Sequence, residues 1–296
     1  MTSILTKLNG AGPKGEQVFT ITPEDARMLL KFNTHNRAIA DNEVLKWACE
    51  MESGRWQYNG DPVRLATDDG LAILDGQHRL SAVAMQADDF RIKMLFVWGL
   101  PAESQLTMDQ GRRRGVADQL TLAGYAMNSS EAAGLRLYIY WSEDYLFTNA
   151  NEAKRRVTTT YLYDWVDRNP DVLDLIREGF KYIHSGGDRI ECSPRVTVAA
   201  FAAISTRATK APLGCVAEFF GGVLHGADLP PDSPILALRS RLRGMATKKT
   251  RMTDRDLLGM FFNTYNHWRK DEGITRIQMP NGSSFTAKNF PKVTQV

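Results

Sequence analysis

Mixed helical and alternating periods give way to helical ones alone between Gly124 and Ser130, and that change limits the architectures open to this chain. Upstream, helical and alternating stretches follow one another. Thr22-Pro23-Glu24-Asp25 supplies a hydroxyl N-cap, a first-turn proline and two acids, so a helix is expected to about Phe32. Val44, Trp47, Ala48 and Met51 recur at i, i+3, i+4 and i+7 behind a cap at Asp41, and Gly54 ends that helix. Pro62 to Thr67 alternates, Asp68-Asp69-Gly70 turns, and Leu71 to Leu74 returns, which predicts a hairpin over 62–74. Gln77 to Met85 places Leu80, Val83 and Ala84 on one helical face, and Arg91 to Trp98 reads as a strand. Downstream, the pattern predicts helices over 129–145, 151–167, 170–183, 194–208, 212–224, 232–245 and 253–270. Asn169-Pro170, Gly186-Gly187, Pro230-Pro231 and the polar run near Thr247 punctuate them. The residues up to Gln17 read as a flexible lead-in and those from Gly273 as a short irregular or β tail. The expectation is α+β: a mixed domain over 1–125 and an all-helical domain over 126–296.

Composition narrows the class. At 296 residues and 43% hydrophobic, the chain can bury one large core or two small ones, which excludes a mainly disordered protein. No stretch approaches the ~18 apolar residues of a membrane span, and the first residues lack a signal-peptide apolar core. Cys49, Cys192 and Cys215 are widely spaced and form no CxxC pair, which argues against a disulfide framework or zinc site and for a reducing cytoplasm. A net charge of +3, from 37 basic and 34 acidic residues, neither announces nor excludes a nucleic-acid partner.

The sharpest local feature is Ile73-Leu74-Asp75-Gly76-Gln77-His78-Arg79-Leu80-Ser81-Ala82. An apolar strand stops at Asp75, Gly76 allows a tight turn, and a helix begins near Gln77. Helix-start N–H groups and the positive end of the dipole then converge on one spot, which suits an anion. Arg79 can add a bidentate donor for phosphate, His78 can serve as acid, base or charged donor, and Asp75 as base or magnesium ligand. A glycine turn ahead of a helix is common and usually binds nothing, but four polar residues in one such turn are unusual for a structural one.

DGQHRLSA resembles the DGQHR motif of the ParB/sulfiredoxin-like superfamily, and the chain as a whole resembles a ParB-like family common in bacteriophages and actinobacteria. Further matches are Asn36-Arg37, Met51 to Trp56 followed by Asn59-Gly60, Asp109-Gln110-Gly111-Arg112-Arg113-Arg114 followed by Asp118, and Asn263 to Arg269. The superfamily includes CTP-binding partition proteins, sulfiredoxin, nucleotide-using small-molecule kinases and proteins of DNA modification systems. The resemblance implies a ParB/sulfiredoxin-like N-terminal domain whose strand-turn-helix holds nucleotide phosphates, with Gly76, Gln77 and Ser81 in the cradle. Partition proteins carry a glutamate- and arginine-rich turn where this chain has Gln77 and His78, and no partition-style helix-turn-helix is readable. CTP specificity and a sliding clamp therefore do not transfer.

The remaining polar clusters have two readings each. By spacing alone Asn36-Arg37 is a solvated loop; the resemblance makes it a loop facing the turn, with Arg37 on a phosphate and Asn36 on a base or the loop itself. Arg64, alternating with Val63 and Leu65, points either into the cleft or into water. Trp56, Tyr58 and Asn59 either stack on a base or cap a core. Asp109, Arg112 and Arg114 suit a polyphosphate with its cation, and Arg113 a nucleic-acid contact, although three consecutive arginines cannot all face one phosphate. Lys154-Arg155-Arg156 and the acid-free stretch with Arg239, Arg241, Arg243, Lys248, Lys249 and Arg251 suggest a basic groove for DNA, or a solvated helix end. The five histidines, at 35, 78, 184, 225 and 267, have no metal-ligand spacing, and neither GxSxG nor a Walker loop occurs.

Two functions from different classes follow. One is an enzyme that binds a nucleoside triphosphate (ATP or CTP) with Mg2+ at 75–81 and performs phosphoryl or nucleotidyl transfer, linked to phage DNA modification. The other is a non-catalytic DNA-binding protein that nucleotide switches; a nuclease is a weaker third. DNA and nucleotide are the expected partners and a membrane is not. A homodimer is left open, and the expected location is the cytoplasm of a bacterial host.

Overall fold

A computed structural model describes residues 3–34, 36, 38–68, 70–108, 115–280 and 284–295. The chain is mixed α+β and forms two compact units, 1–113 with 154–158, and 114–153 with 159–296. The first unit ends ahead of the Gly124–Ser130 stretch at which the period changes.

The first unit holds α1 (Ile4–Gly10), β1 (Gly15–Ile21), α2 (Pro23–Leu30), α3 (Asp41–Glu52), β2 (Val63–Ala66), β3 (Ala72–Asp75), α4 (Gln77–Ala84) and β4 (Ile92–Leu100), then a 3-10 turn over Ala102–Thr107. The sheet order is β1-β4-β2-β3, with β4 antiparallel to β1 and parallel to β2, and β2 antiparallel to β3. Period-two alternation buries Ile92, Met94, Phe96 and Trp98 on one face of β4, where they meet Phe19 and Ile21 of β1 and Leu80 and Val83 of α4. Phe19 and Phe96 pack edge to face at 5.8 Å.

Two expectations change here. The first residues are not a loose lead-in. Ile4 and Leu8 of α1 are buried in the core, and the Ile4 N–H donates to Asp25 Oδ1 at 2.9 Å. Asp25 also completes the α2 capping box with Thr22, so one buried carboxylate ties two helix starts together. The cap of α3 is Ala40 rather than Asp41, which lies in the first turn, and the Ala40 N–H donates to His78 Nε2 at 3.1 Å.

The second unit holds α5 (Val116–Leu122), α6 (Ser129–Ser142), most of α7 (Ala150–Arg156), α8 (Thr159–Arg168), α9 (Pro170–Phe180), the two-residue strands β5 (His184–Ser185) and β6 (Asp188–Arg189), α10 (Pro194–Arg207), α11 (Cys215–His225), α12 (Pro234–Thr247) and α13 (Asp254–Arg269). Its centre is α10, buried without interruption from Val196 to Ile204 because Ala, Val, Thr, Phe and Ile leave no polar face. Gly134 of α6 lets that helix approach closely: a Cβ there would lie 2.5 Å from Val198 Cγ1. Phe219, Phe220, Phe261 and Tyr265 extend this core.

The helix expected over 151–167 is broken at Val157-Thr158. A run of four β-branched residues, Val157 to Thr160, weakens helix formation there, and Thr158 instead donates its hydroxyl to the buried Glu50 carboxylate. Gly186-Gly187 turns the β5–β6 hairpin instead of merely separating helices. The tail past Gly273 forms no strand among its described residues. It is pinned by Ile274 N–H to Asp232 O at 2.7 Å and by Phe285 N–H to Asp256 Oδ1 at 2.8 Å.

Candidate functional site

Gly76, with φ +99°, sits between β3 and α4 in the left-handed region that only glycine adopts cheaply, and a Cβ there would lie 3.0 Å from Val63 Cγ2. The glycine is thus required twice, by dihedral angle and by packing on β2. The N-cap position of α4 is Gly76 itself, which has no side chain to cap the helix. The Gly76 N–H donates to Asp75 Oδ1 at 2.6 Å, which fixes the carboxylate against the turn.

Arg79 reverses the role its type suggests. Its side chain is 8% exposed; Nη1 donates to Asp61 O at 2.5 Å and Nη2 to Pro62 O at 2.8 Å, while Asp75 Oδ2 lies 3.4 Å away and Asp61 Oδ2 3.1 Å from Nη1. The guanidinium is consumed in tying α4 to the strand ahead of it. These contacts leave the side chain directed at the protein in this structure.

Among the described residues, the part-exposed cation at the turn is Arg64. It stands opposite Asp75 in the β2–β3 register, and Nη1 meets Asp75 Oδ2 at 2.5 Å, with the two side chains 29% and 24% exposed. Nothing in the linear motif marks it; the signal was its place eleven residues before Asp75 across a short hairpin, the separation of directly paired strand residues.

A second layer holds the turn from behind. Asn33 Nδ2 donates to Gln77 Oε1 at 3.0 Å, and Gln77 is buried. Asn36 Nδ2 donates to Asn33 Oδ1 and to Ile73 O, both at 2.6 Å. Gln105 Nε2 donates to Asn36 Oδ1 at 2.7 Å and to Leu74 O at 2.9 Å. Asn36 therefore braces the end of β3 by its amide. Asn33 and Gln105 were not singled out from the sequence, because both lie outside the motifs that carry the resemblance. Ser81 Oγ is buried without a hydrogen-bond partner among the described residues.

His78 accepts the Ala40 N–H on Nε2, so its neutral ring carries the proton on Nδ1. Asp75 has one oxygen engaged by the Gly76 N–H and the other by Arg64 and Arg79. Both side chains that could act as a base are thus held by protein partners. Among the described residues no three His, Cys, Asp or Glu side chains are grouped to hold a metal. With Asp75 so engaged, the described donor set does not fit a metal held by the protein.

Arg37, Asp109, Arg112, Arg113 and Arg114 lie outside the described residues. Trp56 packs against the first unit's core, edge to face with Trp47 at 5.4 Å, whereas Tyr58 is exposed. In the second unit Arg239 is withdrawn from the expected basic groove: it donates to Val223 O and, at 2.6 Å, to Leu224 O, closing the end of α11. Burial and nearby Arg243 lower its pKa from the usual guanidinium value. Arg241, Arg243, Lys248, Lys249 and Arg251 are exposed. No helix among the described residues is long and apolar enough to cross a membrane.

Compared with models of known families, with curated proteins and with solved structures, the chain matches none.

Proposed function

We propose that the Asp75–Ser81 turn binds the phosphates of a nucleoside triphosphate, ATP or CTP, and that the chain acts on or with DNA in the manner of ParB-like proteins of phage DNA modification. The observation that carries this is the rigid turn itself. Arg79, Gln77, Asn36 and Gln105 lock it in place, and the part-exposed Arg64 guanidinium stands beside it. A preorganised helix start beside a cation needs no rearrangement to receive an anion. The phosphate-binding arginine of this reading is Arg64, in place of Arg79. An incoming phosphate competes with Asp75 for Arg64, and Asp75 keeps its bonds to the Gly76 N–H and Arg79.

Phosphoryl transfer depends mostly on positioning and charge stabilisation, which this turn supplies, rather than on a strong base. Magnesium enters this reading as the companion of the triphosphate, held by its phosphates. The engagement of His78 Nε2 and of both Asp75 oxygens also favours a second reading, a DNA-binding protein that nucleotide switches without turnover.

The two separate on one experiment. The full chain is incubated with each γ- or α-labelled nucleoside triphosphate, Mg2+ and DNA, and phosphate release and label transfer are followed. Turnover that Arg64→Ala and His78→Ala each reduce at least about tenfold supports the transferase. Saturable binding without turnover supports the switch. Absence of both binding and turnover overturns the proposal.

A further inference from the structure

Helix α12 and residues 275–279 of the tail enclose an open groove of about 610 Å³, lined by Ser240, Arg241, Thr275, Arg276, Gln278 and neighbouring apolar side chains. Two arginines, two hydroxyls and an amide face it with no carboxylate among the lining residues. Both arginines are exposed and make no ion pair among the described residues. On either side of this stretch Ile274 is bonded to Asp232 and Phe285 to Asp256.

We propose that this groove seats the phosphodiester backbone of a nucleic acid. The inference rests on the reading that the chain works with DNA. An isolated small anion favours an enclosed pocket, whereas this groove is open and its helix face continues in one direction. From Arg241 the next residues on that face are Gly244 and Lys248, at i+3 and i+7. Gly244 has open space where a side chain would stand, and Lys248, Lys249 and Arg251 are exposed beyond it. Open space at Gly244 between cations that make no ion pair among the described residues suits an extended polyanion whose phosphates each release counterions on binding. Arg239 and Arg243 lie off this face: the first closes α11, and the second lines a separate small cavity with Arg189 and Glu191.

The test is fluorescence anisotropy of the full chain with labelled single- and double-stranded DNA, without nucleotide, over a salt series. Arg241→Ala and Arg276→Ala are each expected to weaken binding about threefold or more. Each should also lower the slope of log affinity against log salt by about 0.7–0.9 per lost phosphate contact. Arg243→Ala should bind like the parent. All three side chains are exposed, so unchanged melting temperatures establish that the variants fold. If the parent binds DNA but the Arg241→Ala, Arg276→Ala double variant binds equally well, or Arg243→Ala loses as much, the groove is refuted and the DNA reading survives. A parent that binds neither form refutes both, while nucleotide binding at the turn is scored separately.

Discussion

Two arginines at the turn divide the labour that the motif assigns to one. Arg79 is buried against two backbone carbonyls and two carboxylates, so Arg79→Ala removes a buried cation from part-buried acceptors and breaks the tie between α4 and the segment ahead of β2. That should cost about 2–4 kcal/mol, read as a lower urea midpoint. Arg64 is part exposed, and Arg64→Ala should cost no more than about 1 kcal/mol. An equal loss in both would contradict the division. The inward direction of Arg79 was legible in the sequence. It falls at i+3 from Gly76 and i−4 from Val83, on the same face as Leu80, so the periodicity that located the helix also turned this guanidinium inward. Arg239 repeats the pattern, sharing a stripe with Ile235, Leu238 and Leu242 at helical spacing. Residue type drew both toward a ligand; position on the helix directs both at backbone carbonyls.

Among the elements, those with strong local signals sit close to where periodicity places them: α2, α3, the β2–β3 hairpin, α4 and β4. The helix α1 and the strand β1 were not legible, because their buried residues, Ile4, Leu8, Phe19 and Ile21, are too sparse to show a period. Their order comes from tertiary partners, Asp25 for the helix and β4 for the strand. Asp25→Ala should therefore destabilise by about 2 kcal/mol, the sum of a lost cap and a lost buried hydrogen bond, measured by thermal or chemical denaturation. An effect below about 0.5 kcal/mol would mean that α1 is not held through this carboxylate. The break between α7 and α8 likewise follows from Thr158 reaching Glu50, a contact that no local pattern encodes.

At the scale of the whole molecule, charge is where the linear reading is most changed. A net +3 conceals an uneven distribution: one arginine of the basic stretch is spent on a helix end, and Arg241 and Arg276 flank a groove free of acid. Arg276 lies far from that stretch in sequence, so only the folded tail brings it in. Titration of the fold is set in part by one thiol. Burial pushes the Cys192 thiol up from its usual 9.0 to about 12, so the folded state keeps a proton that the unfolded chain has lost. Its contribution to stability is present below about pH 9 and is lost progressively between about 9 and 12. Cys192→Ser should flatten the alkaline fall in melting temperature over that window; an unchanged slope would assign the fall to other groups.

The central claim is that the turn at 75–81 holds nucleotide phosphates through Arg64 and the start of α4. Calorimetric titration of Mg-ATP and Mg-CTP into the full chain tests it most directly. The account predicts saturable one-site binding of at least one nucleotide, weakened at least about tenfold by Arg64→Ala at an almost unchanged melting temperature. No saturable binding of either nucleotide, or binding that Arg64→Ala leaves intact, would contradict it.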